Sequence, residues 1–326
     1  MSEPGARRRG GPWLRLALGL ATLGVVLWLG RRHLGEVWRL REAALPLLAA
    51  MLVVYLATRY LNSEVVRVAL LRLGHPIGRF EAYLLTLLVT YTNLLVPRAG
   101  LGTPAVYLKR RHGVRFADFT ALLMPMVVLQ TLGIGLLGTA VQLVMARWSP
   151  DGFRLEVCLA FAGLAAASAA AVWVPLPIPR RRGGRLGEFL RILDAAWRRL
   201  GRGGRTVGLL FALQVGALLL RGWRLQLAFL SLGEEVGFWR VLVASLLGDV
   251  MMILAITPSG LGLREAAIAY GAGILGTSPG LAVTAAIVDR IVWTLAVVAV
   301  AQVAIWRLFR RTEVQPDRRP SSAGPR

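Results

Sequence analysis

A chain of 326 residues with 56% hydrophobic side chains and a mean hydropathy of +0.59 exceeds what a water-soluble surface tolerates, which argues against a soluble enzyme and makes the bilayer the expected solvent. The formal charge of +22 is almost all arginine, with Lys109 the single lysine, and it gathers between apolar runs; it is expected to set topology and meet lipid rather than nucleic acid. One cysteine, Cys158, and three histidines, His33, His75 and His112, without helical metal spacing predict no disulfide framework, no metal site and no cofactor.

Residues 1–12 carry Arg7, Arg8 and Arg9 and are expected as a basic cytoplasmic N-terminus. The apolar run 13–30 follows without a small-residue cleavage site, so a retained anchor is expected rather than a signal peptide. Runs at 45–61, 119–146, 157–174, 207–230 and 281–306 each approach or exceed the roughly 20 residues that cross about 30 Å of hydrocarbon. Segments 82–96 and 241–256 are shorter and end in Pro-Gly clusters, which predicts broken or re-entrant helices and a total of six to eight spans.

Between the halves, 179–205 holds nine arginines from Arg180 to Arg205 against Glu188 and Asp194, a cytoplasmic signature. Within it Leu186, Phe189, Leu190, Leu193, Trp197 and Leu200 recur at helical spacing, predicting an amphipathic interfacial helix that is either a linker attracting anionic headgroups or a partner-binding element. Arg307, Arg310 and Arg311 place the C-terminus inside, with 312–326 a disordered basic tail. On this scheme 82–96 dips in from the cytoplasmic side and 241–256 from the opposite side, with Arg31 and Arg32 the exception that falls outside.

Two segments echo each other. Asn93-Leu-Leu-Val-Pro97-Arg-Ala-Gly100-Leu-Gly102 resembles Leu254-Ala-Ile-Thr-Pro258-Ser-Gly260-Leu-Gly262, each ending an apolar run and each preceding a helical stretch. Proline removes a backbone donor and glycine admits unusual dihedrals, so each segment should break a helix at membrane depth, where the freed backbone groups require protein or a wet cavity. Paired breaks in two halves entered from opposite sides are the pattern of an inverted-repeat transporter, while plain Pro-Gly connections remain the alternative.

Asp249, Arg264, Glu265, Asp289 and Arg290 fall in or beside the second-half apolar segments, where an unpaired charge costs at least about 2.5–3.5 kcal/mol. Pairing of Glu265 or Asp249 with Arg290 is expected, either as a transport site or as a structural cluster that fixes helix register. In the first half Arg98 sits at the break, and Tyr107, Lys109, Arg110 and Arg111 follow it as a phosphate-collecting mouth or as a topology signal.

At these residues the chain resembles a known family. Thr257-Pro-Ser-Gly-Leu-Gly-Leu-Arg-Glu265, with 285–290 downstream, is similar to the Pro-Gly-Gly-Leu-Gly-x-Arg-Glu pattern of the lysylphosphatidylglycerol synthase transmembrane-region family. Asn93 to Pro97, Gly100 and the run from Tyr107 to Gly113 resemble its Asn-x-x-x-Pro…Gly…Leu-x-Arg-x-x-Gly segment. The resemblance covers 14–311 and departs at Leu101, where the family often carries an acidic residue. It implies a flippase-like domain handling lipids with charged or phosphate-bearing headgroups, sometimes fused to a soluble aminoacyl-transferase. About twenty residues follow Trp306, so lysyl transfer by this chain alone is not expected.

The expected fold is all-α: a polytopic membrane helical bundle over 13–311, with pseudo-symmetric inverted-repeat halves at about 13–178 and 206–311. It is expected in a bacterial cell membrane, multi-pass, with both termini cytoplasmic. The expected activity is movement of an anionic phospholipid or polyprenyl-phosphate-linked lipid between leaflets. Arg98, Arg264, Tyr107 and Lys109 would bind the headgroup, Asp249, Glu265, Asp289 and Arg290 would form a switching ion-pair network, and Asn93, Pro97, Gly100, Gly102, Pro258, Gly260 and Gly262 would shape the breaks. No Gly-x-x-x-x-Gly-Lys-Ser/Thr loop is present, so energy from bound nucleotide is not expected. Two other readings stay open: a subunit presenting lipid to a separate glycosyltransferase or aminoacyl-transferase, and an intramembrane transferase with Asp249 or Glu265 as general base.

Overall fold

The structure, a computed structural model, describes residues 44–95, 102–114, 116–173, 204–254 and 260–310. The expected anchor at 13–30, the amphipathic helix at 186–200 and the tail at 312–326 lie outside the described residues, as do Pro97, Arg98, Gly100 and Pro258. Among the described residues there are nine α-helices and no strands. They are α1 (Leu45–Arg72), α2 (Arg79–Leu95), α3 (Gly102–His112), α4 (Phe116–Trp148), α5 (Leu155–Trp173), α6 (Arg205–Ser231), α7 (Phe238–Leu254), α8 (Leu263–Ile274) and α9 (Pro279–Arg310).

Four of these segments are long and apolar enough to cross a membrane: Leu45–Arg72, Pro125–Trp148, Arg205–Ser231 and Pro279–Ala301, with Leu155–Ala171 a shorter apolar helix. Exposure is inverted relative to a soluble protein. Val53, Leu143, Leu159 and Leu295 face outward, whereas Asp249, Arg264, Glu265 and Asp289 are buried. Water would penalise both halves of that arrangement and hydrocarbon favours both, so the molecule is a polytopic helical membrane protein. The first described helix runs to Arg72, beyond the apolar stretch 45–61, because Arg67 pairs with Glu64 one turn away at 2.7 Å and the polar end remains helical.

The helices repeat by length: α1 to α4 have 28, 17, 11 and 33 residues, and α6 to α9 have 27, 17, 12 and 32. The repeat extends to the connections. Leu71-Arg-Leu-Gly74-His-Pro-Ile-Gly78 after α1 matches Leu230-Ser-Leu-Gly233-Glu-Glu-Val-Gly237 after α6. In each, the glycine takes a positive φ, +83° at Gly74 and +80° at Gly233, and the next residue's N–H returns to the helix, His75 to the Leu70 carbonyl and Glu234 to that of Phe229. This is the Schellman closure, which needs a left-handed residue that glycine occupies without a Cβ clash. Among the described residues the repeating units begin at α1 and α6, and α5 lies between them.

Both short pairs double back. Glu81 in the first turn of α2 meets Tyr107, Arg111 and His112 in the last turns of α3, so α2 and α3 are antiparallel. A Cβ at Gly248 of α7 would lie 2.9 Å from Ile268 of α8, and one at Gly271 of α8 would lie 2.8 Å from Leu247, which makes α7 and α8 a tightly packed antiparallel hairpin. The α2–α3 base adjoins the start of α4, while Arg154, just past the end of α4, donates from Nε to the Ile274 carbonyl at the close of α8 at 2.8 Å. The two hairpins enter from opposite ends of α4. Elsewhere α4 packs on α5 through Gly135 and Gly138 against Phe161 and Ala165, and Met51 of α1 joins Leu225 and Ala228 of α6 in the core.

Candidate functional site

The second hairpin turns at Gly260 and Gly262, with φ of +64° and +77°. A Cβ on Gly260 would sit 2.4 Å from the Met252 sulfur, so the returning chain lies directly against the end of α7. Gly262 N–H donates to Glu265 Oε2 at 2.9 Å, and this carboxylate three residues into the turn both satisfies an orphan donor and favours the positive end of α8. Its other oxygen, Oε1, accepts from Arg290 Nε at 2.5 Å, so Glu265 ties the turn to α9.

Asp289, the residue before Arg290, is fully buried. It accepts from Arg224 Nε and Nη2 at 2.5 and 3.1 Å, a two-pronged contact, and from Arg264 Nη2 at 3.0 Å. One carboxylate thus joins α6, α8 and α9. Asp249 of α7 pairs with Arg221 Nη1 of α6 at 3.0 Å. Asp289 stands ten residues into α9, about 15 Å along the axis from its start.

A fifth guanidinium approaches from α1. Arg59, near the middle of that helix, donates from Nη1 to Thr90 Oγ1 of α2 at 2.9 Å, and its Nε is buried without a hydrogen-bond partner. Arg59 and Arg224 lie 5.2 and 5.4 Å from the centroid of the Tyr55 ring, and Arg290 lies 5.6 Å from that of Trp293. Aromatic faces attract cations in a desolvated setting, so these rings offset part of the cost of interior charge. Tyr55 and Trp293 also pack with Tyr91 and Leu94 at the end of α2. The inner ends of both hairpins converge on this cluster.

Glu81 holds the base of the first hairpin. Its Oε1 accepts from the Tyr107 hydroxyl at 2.7 Å, lies 2.8 Å from His112 Nε2 and 3.3 Å from Arg111 Nε. Burial works against its charge, but the bonds from His112 and Tyr107 and the neighbouring cations outweigh it and hold the carboxyl below its ordinary range.

The structure therefore brings together Arg264, Glu265, Asp289 and Arg290, and places Asp249 beside Arg221. Tyr107 is buried against Glu81 and Lys109 is exposed on the same helix, both at the base of α3. Asn93 lies half-buried near the end of α2, and Gly102 starts α3. Arg59, Arg221 and Arg224 were not among the residues singled out from sequence; arginines inside long apolar helices, one in α1 at Arg59 and two in α6, were the available signal. Among the described residues no group of three His, Cys, Asp or Glu side chains is placed to hold a metal ion.

Residues 13–301 match the family model described as the lysylphosphatidylglycerol synthase TM region. A UPF0104 membrane protein of Methanothermobacter thermautotrophicus (strain ATCC 29096 / DSM 1053 / JCM 10044 / NBRC 100330 / Delta H) is 33% identical over 87 residues, which is 27% of this chain and 26% of that protein. The match spans about a quarter of that relative's length. No solved structure matches.

Proposed function

This chain belongs to the lysylphosphatidylglycerol synthase TM-region family, and from that premise we propose that it moves a lipid with an anionic, phosphate-bearing headgroup between the leaflets of a membrane. The observation that carries the reading is the net-cationic cluster at the convergence of two hairpins that enter from opposite sides. Arginine presents a planar fork to phosphate oxygens, and a desolvated setting strengthens each such bond. The carboxylates hold the arginines in place in the absence of headgroup. A headgroup entering between the tips competes with Asp289 and Glu265 for the same guanidinium donors, and exchange of partners is the step that lets one hairpin release as the other engages. Asp249 and Glu265 are each engaged by an arginine, which disfavours either as the general base of an intramembrane transferase.

The test is movement of phosphatidylglycerol, phosphatidic acid and phosphatidylcholine, each carrying a fluorescent label on an acyl chain, in proteoliposomes of the full chain. Both anionic lipids should equilibrate faster than the zwitterion. Glu265→Gln keeps an acceptor for Gly262 N–H but removes the charge opposite Arg290, and should slow anionic movement at least about tenfold, equivalent to ~1.4 kcal/mol on the barrier. Rates equal to protein-free vesicles with well-folded wild-type protein would remove the translocation reading and favour a subunit that presents lipid to a separate transferase.

A further inference from the structure

The central cluster contains five guanidinium groups, Arg59, Arg221, Arg224, Arg264 and Arg290, and three carboxylates, Asp249, Glu265 and Asp289. Arg221 is matched by Asp249 and Arg290 by Glu265. Asp289 alone serves both Arg224 and Arg264, and among the described residues Arg59 has no carboxylate within ion-pair distance. Among the described residues the cluster therefore carries two more positive charges than negative ones. Arg59 lies beside Arg224, since both guanidinium groups stand over the Tyr55 ring. The connecting segments 96–101 and 255–259 contain one charged residue, Arg98, which is itself positive, so neither connection can supply the missing negative charge.

Burying an excess of two like charges in low dielectric is costly unless something neutralises them. The polar atoms around the excess are those of an anion site. Arg59 Nε and the Tyr55 hydroxyl are buried and without hydrogen-bond partners, and Tyr55 is 1% exposed. A phosphodiester, with one charge, would leave the cluster positive, whereas a phosphomonoester or a pyrophosphate brings two or more charges and enough oxygens for several donors. We infer that Tyr55, Arg59 and Arg224 form the binding site for a phosphate headgroup with two or more charges, a phosphomonoester or pyrophosphate lipid, in preference to a singly charged phosphodiester. The inference rests on reading the cluster as a lipid-headgroup site and specifies its charge.

The experiment measures binding of four probes to the purified full chain at about pH 8, where a phosphomonoester with a second pKa of ~6 is doubly ionised. The probes are short-chain phosphatidic acid, farnesyl pyrophosphate, short-chain phosphatidylglycerol and inorganic pyrophosphate. Both multiply charged lipids should bind at least about tenfold more tightly than phosphatidylglycerol, because an added unit charge inside a net-cationic site is worth that much even when screened. Arg59→Gln should bring that ratio down to about twofold or less, whereas Arg59→Lys, which keeps the charge, should retain most of it. Arg59→Gln should also melt no lower than wild type, since it removes an uncompensated buried charge; a melting point well below wild type would give Arg59 a structural role instead. Tyr55→Phe should weaken all three lipids alike by losing one donor. Equal affinity for phosphatidylglycerol and the multiply charged lipids would overturn the charge assignment and leave the lipid-headgroup reading standing. Inorganic pyrophosphate binding as tightly as farnesyl pyrophosphate would overturn the assignment to a lipid. No lipid binding together with no lipid movement would overturn the headgroup reading itself.

Discussion

Asp289 and Glu81 show how one carboxylate does different work at different depths. Asp289 is sealed among three helices, so its partners are its only solvation. Glu81 stands at the hairpin base, where Tyr107, His112 and Arg111 gather on one of its oxygens. Its folded-state pKa is depressed, so the stability it contributes is present above the ordinary carboxylate range and lost as pH falls through the folded value. Glu81→Gln should therefore lower stability by about 1–3 kcal/mol at neutral pH, by leaving the charge-assisted bonds of α3 weakened. The gap between variant and wild type should close as the solution is acidified below that range. Thermal unfolding in detergent across a pH series checks this, and a gap that stays constant into acid would mean that Glu81 acts only as a packing group.

Element packing depends on where glycines sit. At Gly135 of α4 a Cβ would fall 2.5 Å from the Ala165 backbone nitrogen, and backbone cannot swing aside as a side chain can. At Gly163 of α5 nothing lies within 4 Å. Gly135→Ala should thus cost about 1–3 kcal/mol by forcing α4 from α5, while Gly163→Ala should be neutral or stabilise by up to ~1 kcal/mol through helix propensity. Melting temperatures of the two variants decide it, and equal responses would show that α4 and α5 are not in close contact. The same reasoning explains the second hairpin, whose helices approach at Gly248 and Gly271 and so bring Arg264 and Glu265 back beneath α7.

Across the whole molecule, the two hairpin bases lie at opposite ends of α4. In a Cys158→Ala background, Arg110→Cys at the α3 base and Glu235→Cys ahead of α7 both occupy exposed positions. An impermeant maleimide applied to one side of sealed vesicles should label one of them and spare the other. Labelling of both from the same side would place the hairpins on one face and remove the structural basis for alternating access.

Membrane class, helical content, the two breaks and the charged residues of the second hairpin were legible in the sequence, because a bilayer demands long apolar runs and makes each intramembrane charge conspicuous. The echo around Pro97 and Pro258 marked the hairpins, yet the more regular Leu-x-Leu-Gly echo at Gly74 and Gly233 emerged once the shared caps gave it meaning. Only the tertiary structure decided the pairing. Arg224 and Asp289 are 65 residues apart in the chain, and Arg59 meets Thr90 across two helices. Periodicity tells which residues line a helix and is silent on which helix faces it, so the sequence determined the charges, and helix packing decided which ones remain uncompensated.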